Sequence, residues 1–153
     1  MSEPEKFPAF SLPDQDGKTR SLADLAGSKG LVLYVYPKDD TPGCTTEALD
    51  FKNAAAALAG HGFTVAGLSR DSAESHCKFI AKHGLNFTLL TDPSGDFLSA
   101  IGAWGEKKNY GKVFMGIIRS TFVIGHDGRL LKAYRNVKAT GHVDRVVREL
   151  ITA

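Results

Sequence analysis

The sequence predicts an α/β fold: a central mixed β-sheet flanked by helices. Three observations carry that prediction. Short runs of β-branched and aromatic residues, led by Leu31-Val32-Leu33-Tyr34-Val35, alternate with helix-forming segments such as Ala54-Ala55-Ala56-Ala57-Leu58. The links between these runs are short, which pairs successive strands in parallel across a helix. Further on, Ser120–Ile124 and Arg129–Tyr134 flank Gly125-His126-Asp127-Gly128, a hairpin signal that adds antiparallel strands before a last helix. At 153 residues, with 42% hydrophobic and 24% charged content, residues 1–153 read as a single globular domain able to bury a sizeable core.

Each element has its own warrant. Residues 7–22 place Phe10, Leu12 and Leu22 around the turn Asp14-Gln15-Asp16-Gly17, which predicts a short N-terminal β-hairpin. Ser21–Leu25 predicts one helical turn. A buried strand over 31–36 follows, then a helix from about Gly43 to Ala59 that Gly60 and Gly62 end. Phe63–Ser69 alternates as a second core strand. Asp71-Ser72-Ala73-Glu74 opens a helix that runs to about His83, with Gly84 as its stop. Phe87–Thr91 predicts a third strand, and 95–102 a short helix. Residues 103–116, with glycines between aromatic and basic residues, predict an ordered loop. The last helix, about 141–151, aligns Val143, Val146, Val147 and Leu150 on one face.

Charge and composition narrow the function. The net charge is +2, and Lys107-Lys108, read as part of a solvated loop, is the only adjacent basic pair, so no nucleic-acid surface is expected. No apolar run has the length of a membrane span. The N-terminus Met1–Lys6 lacks the pattern of a secretory leader, so the expected compartment is the cytoplasm. Two cysteines do not make a structural disulfide framework, and in a reducing compartment they are buried or take part in chemistry.

The chemistry concentrates in Tyr36–Glu47. Pro37 and Pro42 stop the strand and shape the connecting loop, so Cys44 falls in the first turn of the next helix. Free backbone N–H groups and the positive end of the helix dipole meet there, and both favour an anion such as a thiolate. The backbone N–H groups of Gly43 and Cys44 are candidate donors to a developing negative charge, whereas Pro42 has no N–H to offer.

Pro37-x-x-x-Thr41-x-x-Cys44 resembles the active-site signature of the peroxiredoxins, thiol peroxidases on a thioredoxin-like fold. The longer string Tyr-Pro-Lys-Asp-Asp-Thr-Pro-Gly-Cys-Thr at 36–45 is similar to the peroxiredoxin Q, or bacterioferritin comigratory protein, group. Gly67–Ser72, Lys107–Lys112 and Gly116–Phe122 match the same group in order, so the likeness covers nearly the whole chain. The resemblance implies reduction of hydrogen peroxide and organic hydroperoxides without metal, haem or flavin. Cys44 is then the peroxidatic nucleophile, oxidised to a sulfenic acid. Thr41 is the hydroxyl that bonds thiolate and peroxide, Arg119 is the cation beside the sulfur, and Pro37 shields the site. Thioredoxin or a related dithiol is the implied reductant. The implied assembly is a monomer, with a dimer as the alternative.

The sequence departs from many relatives at the resolving step. The second cysteine often found five positions after the first is here Leu49, and the only other thiol is Cys77, about one turn before the position, near Ile80, that some relatives use. Residues three apart share a helix face, so Cys77 is the expected resolving cysteine. Its disulfide with Cys44 requires Cα atoms within about 7 Å and local unwinding of the Cys44 helix. An external resolving thiol, with Cys77 a bystander, is the other reading. A thiol–disulfide oxidoreductase is disfavoured, because Thr45-Thr46-Glu47 supplies no C-x-x-C pair. A peroxide sensor or chaperone-like module stays open as a second role. His61, His76, His83, His126 and His142 show no metal spacing, and His76 is assigned to a solvated helix face. Asp39-Asp40 is assigned to a solvated loop, and Trp104 and Phe114 to packing or the rim of the site.

Overall fold

The computed structural model describes residues 6–109 and 111–151. A five-stranded mixed sheet forms its centre. Strand β3 (Gly30–Val35) lies in the middle, parallel to β4 (Phe63–Ser69) and antiparallel to β8 (Ser120–Gly125). β5 (Thr88–Thr91) extends the sheet in parallel beyond β4, and β9 (Leu130–Tyr134) extends it antiparallel beyond β8. The N-terminal hairpin pairs β1 (Leu12–Pro13) with β2 (Thr19–Arg20).

All six residues of β3 are buried, which explains its unbroken apolar run. Its side chains alternate between faces. Val32 and Tyr34, with the following Tyr36, join one core with α2 (Pro42–Gly60), α3 (Ala73–His83) and α5 (His142–Ile151). Leu31, Leu33 and Val35 join a second core with Phe7 and Phe10, α4 (Asp96–Ala100) and Phe122, onto which α1 (Leu22–Leu25) also packs. Helices therefore cover both faces, as expected. The expected stops hold: Ser72 caps α3 by accepting from Ser75 N–H, and Gly84 closes it at φ +61°.

Residues 103–116 correct the expectation of a loop. Trp104–Asn109 forms β6 and Lys112–Ile117 forms β7, an antiparallel hairpin in full register. Val113, Phe114 and Met115 are exposed and burial is confined to the base, at Ile117 and Trp104, so most of this ribbon has no buried face to impose a two-residue hydrophobic alternation on its sequence. Lys107 and Lys108 therefore lie on a strand.

Candidate active site

Strand register builds the site. Val35 pairs with Ser120 across β3 and β8, so the loop leaving β3 emerges beside Arg119. β3, β4 and β5 are parallel and end on the same side, the edge of an α/β sheet where loops gather around a ligand. Thr41 stands at the N-cap of α2 in extended conformation, and Pro42 opens the helix with its preset φ. Thr45 N–H bonds the Thr41 carbonyl at 2.8 Å. The N–H groups of Gly43 and Cys44 precede that first helical bond and remain the free donors of the terminus.

Cys44 is 1% exposed. Arg119 divides its guanidinium between two partners: Nη2 donates to Cys44 Sγ at 3.3 Å and Nη1 to Glu47 Oε1 at 2.5 Å. Gly43 lies against this guanidinium: a Cβ there would be 3.4 Å from Nη2, in van der Waals contact. The Arg119 backbone is held in turn by Val137 N–H on its carbonyl at 2.9 Å. Burial pushes the Glu47 carboxyl up to about 7, although Arg119 pulls the other way. Glu47 Oε2 and the Tyr34 hydroxyl are the buried side-chain atoms among the described residues that lack a hydrogen-bond partner.

An open cavity of about 440 Å³ reaches this arrangement, lined by Pro37, Lys107, Ile118, Arg119 and Val137 among others. A second, of about 360 Å³, shares Pro37 and Lys107 with the first and is also lined by Arg70, Trp104, Phe114 and Ile117. Trp104 and Phe114 thus line the neighbouring cavity, Trp104 also packs against the second core, as the packing expectation had it, and the Arg70 guanidinium lies 4.9 Å from the Trp104 ring centroid. Lys107 faces both cavities.

Thr41 donates its hydroxyl proton to the Lys38 carbonyl at 3.0 Å, not to sulfur, and makes no side-chain cap on α2. Its oxygen keeps lone pairs free to accept a hydrogen bond. Cys77 is exposed on α3 and donates to the Gln15 carbonyl at 3.0 Å. Ile80, one turn on, packs against the core that contains Cys44. The structure thus brings together Pro37, Cys44 and Arg119, while both cysteines are free thiols with different neighbours.

Two expectations about polar residues are corrected. His76 is fully buried: Nδ1 lies 2.8 Å from Asp39 Oδ2 and Nε2 2.9 Å from the Leu90 carbonyl. Asp39 is 8% exposed, whereas Asp40 is exposed, as expected, and is paired with Lys82 and His83 at 2.7 and 3.0 Å. Each polar group found a partner across the fold, which sequence distance conceals. Candidate ligand atoms of Asp39, Asp71 and His76 lie within 4.8 Å of one another. Their contacts to Tyr36, Ser69, Ser75 and Leu90 make them one hydrogen-bonded cluster. Sequence reasoning also passed over Glu47, although it lies three residues after Cys44 and so on the same helix face.

Comparison with known proteins extends the argument. The AhpC/TSA family matches residues 4–133. Peroxiredoxin Bcp of Bacillus subtilis is 46% identical over 146 residues, spanning 95% of this chain and 92% of that protein. Peroxiredoxin Bcp of Escherichia coli is 41% identical over 143 residues, 94% and 91% of the two chains. A solved structure of Xanthomonas campestris Peroxiredoxin Q superposes with a TM-score of 0.86 at 40% identity, covering 98% of this chain and 95% of that one. So does a structure of the Xanthomonas campestris bacterioferritin comigratory protein, solved in a study of its alkyl peroxide reduction activity, with a TM-score of 0.86 at 39% identity and coverage of 98% and 96%. The sheet and its helices are the thioredoxin-like fold of those structures, and the cysteine at the start of α2 with Arg119 against it stands within the shared span. The chain belongs to the AhpC/TSA family and, within it, to the peroxiredoxin Q/BCP group.

Proposed function

We propose that this peroxiredoxin reduces hydrogen peroxide and organic hydroperoxides with Cys44 as nucleophile. The Cys44 thiolate attacks the terminal oxygen of ROOH, the O–O bond breaks, and Cys44 becomes a sulfenic acid while RO⁻ takes a proton and leaves as ROH. Arg119 and the N–H groups of Gly43 and Cys44 stabilise the charge that develops on the departing oxygen. Thr41 accepts a hydrogen bond from the hydroperoxide O–H, whose hydrogen stays on the oxygen that joins sulfur, and Pro37 walls the approach. Glu47 holds the Arg119 fork in place. The observation that carries this reading is the guanidinium shared between Cys44 Sγ and Glu47 at the edge of an open cavity.

In the second half of the cycle the Cys77 thiol attacks the sulfenic sulfur, forming the disulfide and releasing water. A dithiol protein of the thioredoxin type then reduces that disulfide, returning both thiols. We place this cycle in the cytoplasm, in a monomeric chain. Buried Cys44 reaches Cys77 only if the first turn of α2 opens and Cys77 leaves Gln15. The rival reading, resolution by an external thiol, draws on that same engagement of Cys77 with Gln15.

Intact mass and free-thiol count after one equivalent of hydrogen peroxide separate the two. The expected result is loss of both thiols and two hydrogens in the wild-type monomer, with Cys77→Ser stopping at an oxygen adduct on Cys44. An oxygen adduct in the wild type with Cys77 still free assigns resolution to an external thiol. A Cys44 that does not react overturns the peroxidatic assignment itself.

A further inference from the structure

We infer that Asp39 and His76 are positioning residues: together they fasten the loop that presents Cys44 to helix α3, so the loop stays set for peroxide and α3 is held back from disulfide formation. The second half of that statement rests on resolution by Cys77, which α3 carries next to His76. The first half does not.

Asp39 sits between Pro37 and Thr41. Its carboxylate accepts from the Tyr36 hydroxyl at 2.5 Å, the Ser75 hydroxyl at 2.7 Å and His76 Nδ1 at 2.8 Å, and its own N–H donates to Asp71 Oδ2 at 2.8 Å. The side chains of His76 and Asp39 are 0% and 4% exposed, so water competes little for these bonds. Both nitrogens of His76 face acceptor oxygens, Asp39 Oδ2 and the Leu90 carbonyl. The ring is therefore pinned from both sides, between the loop carboxylate and the end of β5. Burial alone would push the Asp39 carboxyl up, but the bonds from His76 and Tyr36 outweigh it and hold the carboxyl below its usual value.

The next residue repeats the grip. Asp40 has φ +61°, a left-handed conformation that an L side chain adopts at a cost, and its carboxylate is tied to Lys82 at 2.7 Å and His83 at 3.0 Å. Two consecutive loop residues therefore hold α3 near both of its ends. Such strain persists only where surrounding contacts over-determine it. Freed from α3, the loop relaxes and Thr41 and Cys44 lose their set positions beside Arg119, while α3 gains freedom to move.

The test compares Asp39→Asn, a neutral isostere, with the parent chain, each with and without Cys77→Ser. The Cys77→Ser pair gives the rate of sulfenic acid formation alone, and the chains retaining Cys77 give the rate of its conversion to disulfide. Amide hydrogen exchange locates the loosening. The expected result is about tenfold slower sulfenic acid formation, disulfide formation faster by about threefold or more, and faster exchange in residues 36–41 and α3 while β3 and α5 stay protected. His76→Asn, which keeps one donor toward Asp39, should fall between the two. Unchanged rates and exchange overturn the proposal. So does loosening throughout the chain with both steps slowed alike, which is the signature of a purely structural role. If the parent forms no internal disulfide, resolution by Cys77 falls; local exchange and the first-step rate then decide the fastening by themselves.

Discussion

Arg119 spends one terminal nitrogen on a sulfur and the other on a carboxylate, so its charge and its shape can be tested separately. Arg119→Lys keeps the charge but has no planar fork to span both partners. The rate constant for Cys44 oxidation, followed by rapid mixing with hydrogen peroxide, is expected to fall about 10²- to 10³-fold, and a loss under about threefold would show that charge alone suffices. Glu47 makes a prediction in pH. With its carboxyl raised to about 7 from 4.5, the folded chain holds a proton that the unfolded chain has released. Its contribution to stability is therefore complete below 4.5 and is lost as the pH rises through about 7. Urea unfolding across that window should show stability falling with pH in the wild type and a shallower fall in Glu47→Gln; equal slopes would remove Glu47 as the source. Pro37, Thr41 and Cys44 were legible in the sequence because they share one short loop and helix start. Asp39 and His76 were not. They lie 37 positions apart, and only packing reveals that the polar residues of a loop and a helix face one another in a dry interior.

At the scale of elements, the clearest sequence signals were those with a buried face. β3 and β4 read as core strands because nearly every residue in them is covered, and α3 because its cap and its glycine stop are chemical necessities. The β6–β7 ribbon escaped because pairing with burial only at its base leaves no hydrophobic period. Gly67 in β4 shows how tightly the covered elements fit. A Cβ there would lie 2.7 Å from Leu89 Cδ2 and 3.0 Å from Tyr34 Cζ, both side chains being fully buried. Gly67→Ala is expected to cost about 1–3 kcal/mol in chemical denaturation, as overpacked cores do. Gly84→Ala, at φ +61°, is expected to cost about 1–2 kcal/mol from backbone strain and to fray the end of α3. Val113→Thr on the ribbon should lie within about 0.5 kcal/mol of the wild type, since that side chain is 57% exposed.

At the scale of the molecule, the two hydrophobic clusters are two faces of one sheet, and β3, β4 and β8 feed both. Neither cluster can come apart while the other keeps those strands in place. Far-UV circular dichroism and calorimetry are therefore expected to report one coincident transition, and two separated transitions would contradict a shared core. The mixed sheet and its flanking helices could be read from the order of apolar runs. The position of Arg119 beside Cys44 could not be read from spacing, because it depends on the pairing of Val35 with Ser120 between distant parts of the chain. Resemblance to a family supplied that residue, and the antiparallel register supplies its physical reason.

Trp104 is the only tryptophan in the chain, and it lines the cavity beside the site with a guanidinium against its ring. All indole emission therefore comes from one place, the cavity wall that Trp104 forms with Pro37 and Phe114. Any rearrangement that shifts Arg70 or opens that wall changes the charge and solvent around the indole. The protein thus carries its own optical probe: its emission is expected to change when hydrogen peroxide is added to the reduced chain, and an unchanged spectrum would place the indole outside the region that rearranges.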